Sequence, residues 1–177
     1  MTMLVDYQIR KYIEQGTVVV EPYNRNLVKT SSLDVRAGRF FTTTKLAPGY
    51  EYVDPTDSNS FENETYELDE YVIAPGGSVM VSLMEDITLP NFISVKLFGK
   101  SSMARLGIEN SPSAMFAEAG WSGILTCELY NFSKLPVVIR EGMPIGQLVF
   151  FEHQQAEKPY KGRYLRQAPG SGSKSVQ

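Results

Sequence analysis

The side chains best suited to chemistry lie within a short stretch of the chain, between Gly99 and Glu128. Two cations and two hydroxyls directly follow the apolar run 95–98: Lys100, Ser101, Ser102 and Arg105. A strand that ends in a short helix would direct backbone N–H groups, hydroxyls and positive charges to one place, which suits a phosphate group. A capped helix start with solvated cations is the alternative that these residues leave open.

Residues Gly99 to Ser102 also look like the end of a Walker A loop. That motif needs a second glycine five residues before Gly99, where this sequence has Ser94, so a P-loop is excluded. No alternation of strands and helices is visible, which argues against a Rossmann or P-loop sheet.

Glu128 is the second candidate, because it lies in the otherwise apolar segment 124–130. Strand alternation places Glu128 on the face of Thr126 and opposite the face that carries Leu125 and Cys127. A carboxylate in such a strand costs folding free energy unless it is paired, and it is tolerated there when the protein uses it for its function. A carboxyl group with a raised pKa that moves a proton is the functional interpretation, and a strand with one solvated face is the alternative.

The elements that would position these groups are short strands separated by turns. Asp6 can cap a short helix with an apolar face at Ile9 and Ile13, and Gly16 suits its C-terminal end. Runs typical of strands follow at 17–20, 33–35 leading to 39–41, 71–73, 78–84, 93–98, 123–130, 136–139 and 144–151, with turn residues at 75–77, 89–90 and 141–142. This pattern predicts a β-sandwich, barrel or jelly roll.

The composition predicts one soluble globular domain, since 42% of the 177 residues are hydrophobic and 21% are charged. A net charge of −3 gives no general attraction to nucleic acid or to an anionic membrane. One cysteine, Cys127, and one histidine, His153, exclude an internal disulfide and the common Cys/His zinc sites. The sequence shows neither a signal peptide nor a membrane-spanning run, so we expect a cytoplasmic protein.

Two segments differ in composition from the rest of the chain. Residues 51–70 contain eight acids and no base, which predicts a solvated loop. Residues 158–177 contain five cations and no acid and include the run Pro-Gly-Ser-Gly-Ser at 169–173, which by composition alone favours a frayed terminus.

Several short motifs occur in order along the chain. They are VDYQI at 5–9, SSLDVRAG at 31–38, KSSMARLG at 100–107, AGWSG at 119–123, CELYN at 127–131, KLP at 134–136, GMPIGQL at 142–148, PY at 159–160 and RYLRQ at 163–167. In order and spacing they resemble the dCTP deaminases of the dUTPase-like superfamily. The resemblance extends over nearly the whole chain, and the acidic segment 51–70 is the main unmatched part.

The resemblance implies a mainly β fold, a distorted jelly-roll β-barrel with one short N-terminal helix, assembled as a homotrimer with active sites between subunits. Residues 1–157 would form a single domain, and the basic tail 158–177 would close over the nucleotide. The implied activity is zinc-independent hydrolysis of dCTP to dUTP and ammonia, with Mg²⁺ bound together with the triphosphate. It implies no nucleic-acid or membrane partner.

The same resemblance assigns roles to individual residues. Glu128 would move a proton from the attacking water to the leaving amine, while Ser101 and Arg105 would hold that water. Backbone groups near Ala114 and at 126–128 would bind the cytosine. The residues implied to contact the nucleotide are Lys100, Ser101, Ser102, Met103, Ala104, Arg105, Ala114, Glu118, Thr126, Cys127, Glu128, Tyr160, Arg163 and Gln167.

The sequence departs from the family pattern at two of these positions. Glu118 stands where an aspartate is typical, and Arg163 stands where a lysine is common, which keeps the charge but changes its geometry. Two alternatives remain open: an enzyme that yields dUMP, as a bifunctional dCTP deaminase/dUTPase or a dUTP pyrophosphatase, and a noncatalytic nucleotide-binding homologue.

Overall fold

Strands make up most of the computed structural model, which describes residues 1–110 and 115–174. The strands are β1 (Thr2–Met3), β2 (Val19–Glu21), β3 (Leu33–Leu46), β4 (Phe61–Glu67), β5 (Glu70–Ile73), β6 (Ser78–Thr88), β7 (Ile93–Gly99), β8 (Ile108–Asn110), β9 (Phe116–Ala117), β10 (Ser122–Asn131), β11 (Val137–Arg140) and β12 (Pro144–Glu152). The helices are α1 (Asp6–Glu14) and the four-residue α2 (Ser101–Ala104), and Arg25–Leu27 form a 3₁₀ turn. Each predicted strand is present, and the runs 33–35 and 39–41 are parts of one strand.

Within the described residues, ten of the strands form one antiparallel sheet. Its neighbours run in the order β8, β10, β6, β3, β12, β7 and β9, with β1 added to β12, β2 to β6 and β4 to β3, while β5 and β11 pair separately. Residues 33–36 of β3 pair with β12, whereas residues 37–46 pair with β6 and β4. One strand therefore belongs to both halves of a curled sheet, which confirms the predicted mainly β barrel-type fold.

A glycine allows β3 to bend where it changes partner. A Cβ at Gly38 would lie 2.9 Å from the carbonyl oxygen of Ser82, closer than side chains normally approach a neighbouring backbone. The pairing of β3 with β6 shifts register between Ala37 and Phe41, next to this glycine. The close approach thus coincides with the point at which the sheet curls.

The short N-terminal helix α1 is confirmed, and it packs Ile9 and Ile13 against the core. Asp6 is its first residue rather than its cap: the backbone N–H of Val5 donates to the side chain of Gln8 at 3.0 Å. Gly16 ends the helix with a φ of +71°, as expected. Among the residues that the structure describes, no helix is long and apolar enough to cross a membrane.

The acidic segment is only partly a loop. Residues 51–60 form turns, but residues 61–67 are strand β4, paired along its whole length with β3. Six of its seven residues are exposed, and the amine of Lys45 lies 3.4 Å from the carboxylate of Glu62. The prediction of a loop over 51–70 is wrong here because an exposed edge strand accepts acids that a buried strand would exclude.

A buried ion pair joins β3 to β6. The guanidinium Nε of Arg36 donates to the Glu85 carboxylate at 2.7 Å, and the backbone N–H of Arg36 donates to its second oxygen at 3.0 Å. The Glu85 side chain is 2% exposed. Arg36 also donates to the carbonyl oxygen of Pro22, so this pair links the two strands to the segment that follows β2.

Candidate active site

Strand β10 holds Glu128 between the core and a cavity. Cys127 and Leu129 face the core and are fully buried, while Glu128 faces the opposite side, as strand alternation predicts. Its Oε2 is buried and accepts no hydrogen bond from any residue in the described ranges. Burial raises the pKa of the Glu128 carboxyl group above its ordinary value. A buried acceptor without a protein partner favours a water, a ligand or a proton at this oxygen.

The cavity beside Glu128 has a volume of about 310 Å³. Its wall consists of Met80, Phe116, Trp121, Leu125, Thr126, Glu128, Tyr160, Tyr164, Gln167 and residues 171–173. Aromatic and apolar side chains form half of this wall, and Glu128 is its one carboxylate among the described residues. Such a cavity suits a flat, partly polar ring with a reacting atom held beside the carboxylate.

The C-terminal tail closes one side of this cavity. The side-chain amide of Gln167 donates to Thr126 Oγ1 at 2.7 Å and to the carbonyl oxygen of Ile124 at 2.9 Å, while its backbone oxygen accepts the N–H of Ile124 at 3.0 Å. Earlier in the tail, the N–H of Tyr160 donates to the carbonyl oxygen of Ala119 at 2.9 Å. These contacts argue against a frayed terminus for the described part of the tail, residues 158–174.

Glycine is required where the tail meets β10. A Cβ at Gly123 would lie 2.6 Å from the backbone nitrogen of Gln167, and Gly123 has a φ of +130°. Gly120 has a φ of +81°, and a Cβ there would lie 2.5 Å from the side chain of Pro159. The AGWSG motif therefore makes room for the tail and supplies Trp121 to the cavity wall.

The basic cluster lies at a different cavity. Lys100 and Ser101 line it together with residues from β7, β8 and β12, and neither belongs to the described wall of the Glu128 cavity. The amine of Lys100 lies 2.6 Å from a carboxylate oxygen of the buried Asp34. Ser101, Ser102, Ala104 and Arg105 are exposed, whereas Met103 is in the core. Within a single chain, the predicted proton-transfer residue therefore lies at a different cavity from the predicted phosphate-binding residues.

The remaining predicted contact residues have mixed locations. Thr126, Tyr160 and Gln167 line the Glu128 cavity, while Glu118 and Arg163 are exposed and lie outside its described wall. The thiol of Cys127 faces the core, where burial raises its pKa, so only the backbone of this residue is available to a nucleotide. Ala114 lies outside the described residues.

Sequence reasoning missed several residues of the cavity wall. Alternation placed Leu125 opposite Glu128, but an irregularity in the pairing of β10 with β6 between Ile124 and Thr126 brings Leu125 into the wall. Tyr164 also lines the cavity, and its place in the RYLRQ motif is the sequence signal for it. Trp121 belongs to the AGWSG motif, but the resemblance gives no role to this residue.

The described part of the chain contains no group of three or more His, Cys, Asp or Glu side chains that could hold a metal ion.

Comparison with known proteins gives consistent matches. A family model described as dCTP deaminase-like matches residues 3–153. The dCTP deaminase, dUMP-forming, of Methanoculleus marisnigri is 39% identical over 160 residues, which are 89% of this chain and 84% of the relative. The protein of the same name from Methanospirillum hungatei is 39% identical over 171 residues, which are 93% of this chain and 91% of the relative.

A solved structure agrees with these matches. The 2′-deoxycytidine 5′-triphosphate deaminase of Agrobacterium tumefaciens superposes with a TM-score of 0.65 and 26% identity over 84% of this chain. This chain spans 47% of the length of that protein. From the extent of the family match and the identity to relatives that are covered over most of their length, the chain belongs to the dCTP deaminase-like family.

Proposed function

We propose that this protein is a bifunctional enzyme that deaminates dCTP and then releases dUMP. The observation that carries the deamination step is the buried, unpartnered Glu128 Oε2 in an aromatic cavity of the described chain. Release of dUMP is supported by the names of the relatives at 39% identity, which are dUMP-forming. This support favours the dUMP alternative over the expected release of dUTP.

In the deamination step Glu128 acts as the general base. It takes a proton from water as the water oxygen bonds to C4 of cytosine and the C4–N3 double bond opens to a single bond. It delivers a proton to the 4-amino group as the C4–N4 bond breaks, and the other water proton ends on N3 of the uracil. Water supplies the oxygen, ammonia leaves, and the carboxylate is regenerated. A raised pKa suits this role because it makes the carboxylate a stronger base than a solvated glutamate.

The second step hydrolyses the α–β phosphoanhydride, so that dUTP and water give dUMP and pyrophosphate. Lys100, Ser101, Ser102 and Arg105 supply cations and hydroxyls for the phosphates. Because these residues lie apart from the described wall of the Glu128 cavity in one chain, we propose that a neighbouring subunit of a homotrimer brings them to Glu128.

In the proposed reaction Mg²⁺ binds to the protein as its complex with the nucleotide triphosphate. The described wall of the Glu128 cavity offers one carboxylate, and magnesium sites built mainly by substrate phosphates need few protein ligands. Because Glu128 itself takes and returns the proton, the proposed deamination step requires no zinc. We therefore expect turnover to persist with a zinc-selective chelator and to fall when Mg²⁺ is withheld. Stoichiometric zinc whose removal abolishes turnover would contradict this scheme.

Product analysis tests the proposed function directly. Purified protein is incubated with dCTP and Mg²⁺, and dCTP, dUTP, dUMP, pyrophosphate and ammonia are measured over time. We expect ammonia, pyrophosphate and dUMP in equal amounts. Accumulating dUTP would identify a deaminase without the second activity, and unreacted dCTP would leave a dUTP pyrophosphatase or a noncatalytic homologue.

A substrate analogue separates the two steps. With a dCTP analogue whose α–β bridging oxygen is replaced by an imido group, the second step is blocked. We expect the corresponding dUTP analogue and ammonia to form without pyrophosphate. Absence of ammonia from this reaction, together with dUMP formed from dUTP, would leave only the pyrophosphatase.

A further inference from the structure

The end of the tail lies on the hairpin formed by β3 and β4. The side-chain amide of Asn63 donates to the carbonyl oxygen of Ser173 at 2.8 Å, and the N–H of Ser173 donates back to Asn63 Oδ1 at 3.1 Å. The hydroxyl of Thr44 also donates to Asn63 Oδ1 at 3.1 Å, which orients the amide. One side chain therefore pairs with both backbone polar groups of a tail residue, as a neighbouring strand would.

A second set of bonds holds Gly170. Its N–H donates to Ser82 Oγ at 2.8 Å, and its carbonyl oxygen accepts the hydroxyl of Thr65 at 3.1 Å. The hydroxyls of Thr42 and Thr65 lie 2.8 Å apart, so they share one hydrogen bond as well. Strands β3, β4 and β6 thus each contribute a side chain to this set of bonds around the tail.

The two glycines of this segment fit closely against the hairpin. A Cβ at Gly172 would lie 2.4 Å from Asn63 Cγ, and a Cβ at Gly170 would lie 2.9 Å from Thr65 Cγ2. Gly170 also has a φ of +74°, which favours glycine. The Pro-Gly-Ser-Gly-Ser run, which as a composition indicates flexibility, here allows close contact.

These contacts bear on the Glu128 cavity because residues 171–173 form part of its wall. Gln167 secures that part of the tail on one side, and Asn63 with Thr65 secures it on the other. We infer that the β3–β4 hairpin is the docking site of the C-terminal tail and that Asn63 is a positioning residue for the nucleotide cavity. Asn63 acts through the tail and is not part of the described cavity wall.

Tail docking is measured without any nucleotide. Asn63→Ala removes two bonds to Ser173, each of which corresponds to a factor of about 2 to 12 in an equilibrium. We expect trypsin to cleave within residues 161–174 roughly tenfold faster than in the wild type, with the barrel as resistant as before. Emission from Trp121, the single tryptophan, should shift to longer wavelength as the cavity opens. Asn59→Ala is the matched control, since its side chain bonds to the nearby Asp57 and lies in the turns before β4.

A second variant changes only the tail. Gly172→Ala should accelerate cleavage as Asn63→Ala does, and the double variant should resemble the faster single variant because both changes act on one contact. The proposal is overturned if both single variants are cleaved at the wild-type rate, or if Asn59→Ala is cleaved as fast as Asn63→Ala.

The kinetic test of Asn63→Ala depends on the proposed function, because it measures turnover of dCTP. Bound nucleotide favours the docked tail, so a weaker docking contact should raise the KM for dCTP several-fold and leave kcat within about twofold. A fall in kcat with an unchanged KM would overturn the positioning role. If the protein does not turn over dCTP at all, the proposed function fails, and the cleavage and emission results still decide whether the tail docks on β4.

Discussion

At the scale of single residues, Glu128 combines three properties that rarely occur together. It lies on a strand whose other face is core, one carboxylate oxygen is buried without a hydrogen-bond partner in the described residues, and burial raises its pKa. A buried carboxylate without a partner destabilises the fold, so its presence in a cavity indicates a function. The side chain therefore has testable consequences for both catalysis and stability.

Glu128→Gln should abolish turnover and largely preserve nucleotide affinity. The amide keeps the shape and one acceptor of the carboxylate but cannot accept and return a proton. Loss of a general base typically lowers the rate by about 10² to 10⁴. Ammonia release at saturating dCTP measures turnover, and calorimetric titration measures binding. Glu51→Gln, at an exposed carboxylate, is the control, and substantial deamination by Glu128→Gln would remove Glu128 from this role.

The same substitution should stabilise the fold at neutral pH. Because the pKa of Glu128 is raised in the folded state, the folded state binds more protons than the unfolded state between the two pKa values. The wild type thus loses stability as the pH rises from the ordinary pKa of 4.5 to the raised pKa, and it loses no more above that value. Glutamine does not ionise, so Glu128→Gln avoids this loss.

Urea unfolding measures this difference. Glu128→Gln should exceed the wild type in free energy of unfolding at pH 7.5, and the gap should close below about pH 4. A gap that is the same at both pH values would show that ionisation of Glu128 is not its cause.

At the scale of the elements, the buried Arg36–Glu85 pair holds β3 to β6 near the bend at Gly38. Arg36→Ala would leave the Glu85 carboxylate buried with the Arg36 backbone N–H as its remaining donor in the described chain. Removing one partner of a buried pair typically costs about 3 to 5 kcal/mol. Urea unfolding should show a loss of this size.

An exposed pair provides the control for this prediction. Arg140 and Glu70 join β11 to β5 at 3.0 Å with more than half of each side chain exposed. Arg140→Ala should therefore cost less than about 1 kcal/mol. If Arg36→Ala and Arg140→Ala lower the free energy of unfolding equally, burial does not determine the cost of losing an ion pair.

At the scale of the whole molecule, two motifs that the family resemblance assigns to one active site lie at different cavities of one chain. Residues 100–105 follow β7, and Glu128 lies on β10, with β6, β3 and β12 between these two strands in the order of the sheet. A neighbouring copy that supplies residues 100–105 would complete the site.

Mixed assemblies test this arrangement. Glu128→Gln and Arg105→Ala should each be inactive alone. When they are produced together, about a quarter of the shared sites would receive Glu128 from one copy and Arg105 from its neighbour, if the copies mix randomly. Deamination should therefore return to about that fraction of the wild-type rate. Mixed trimers that are seen by mass spectrometry but stay inactive would place the whole site in one chain.

The sequence by itself determined eight of the twelve described strands, the N-terminal helix and the face of the strand on which Glu128 lies, because alternation and turn residues are local properties. It also determined the family, because several motifs in order are specific. Only the tertiary structure decided that residues 61–67 are a strand, that Leu125 reaches the cavity and that the tail is held by contacts of Gln167 and Asn63. Each of these depends on partners distant in the chain: the ladder with β3, the irregular pairing with β6, and the close approach that glycines permit. Local composition does not depend on such distant partners. For this reason the acids indicated a loop, strand alternation placed Leu125 on the face opposite Glu128, and the glycine–serine run indicated a frayed terminus.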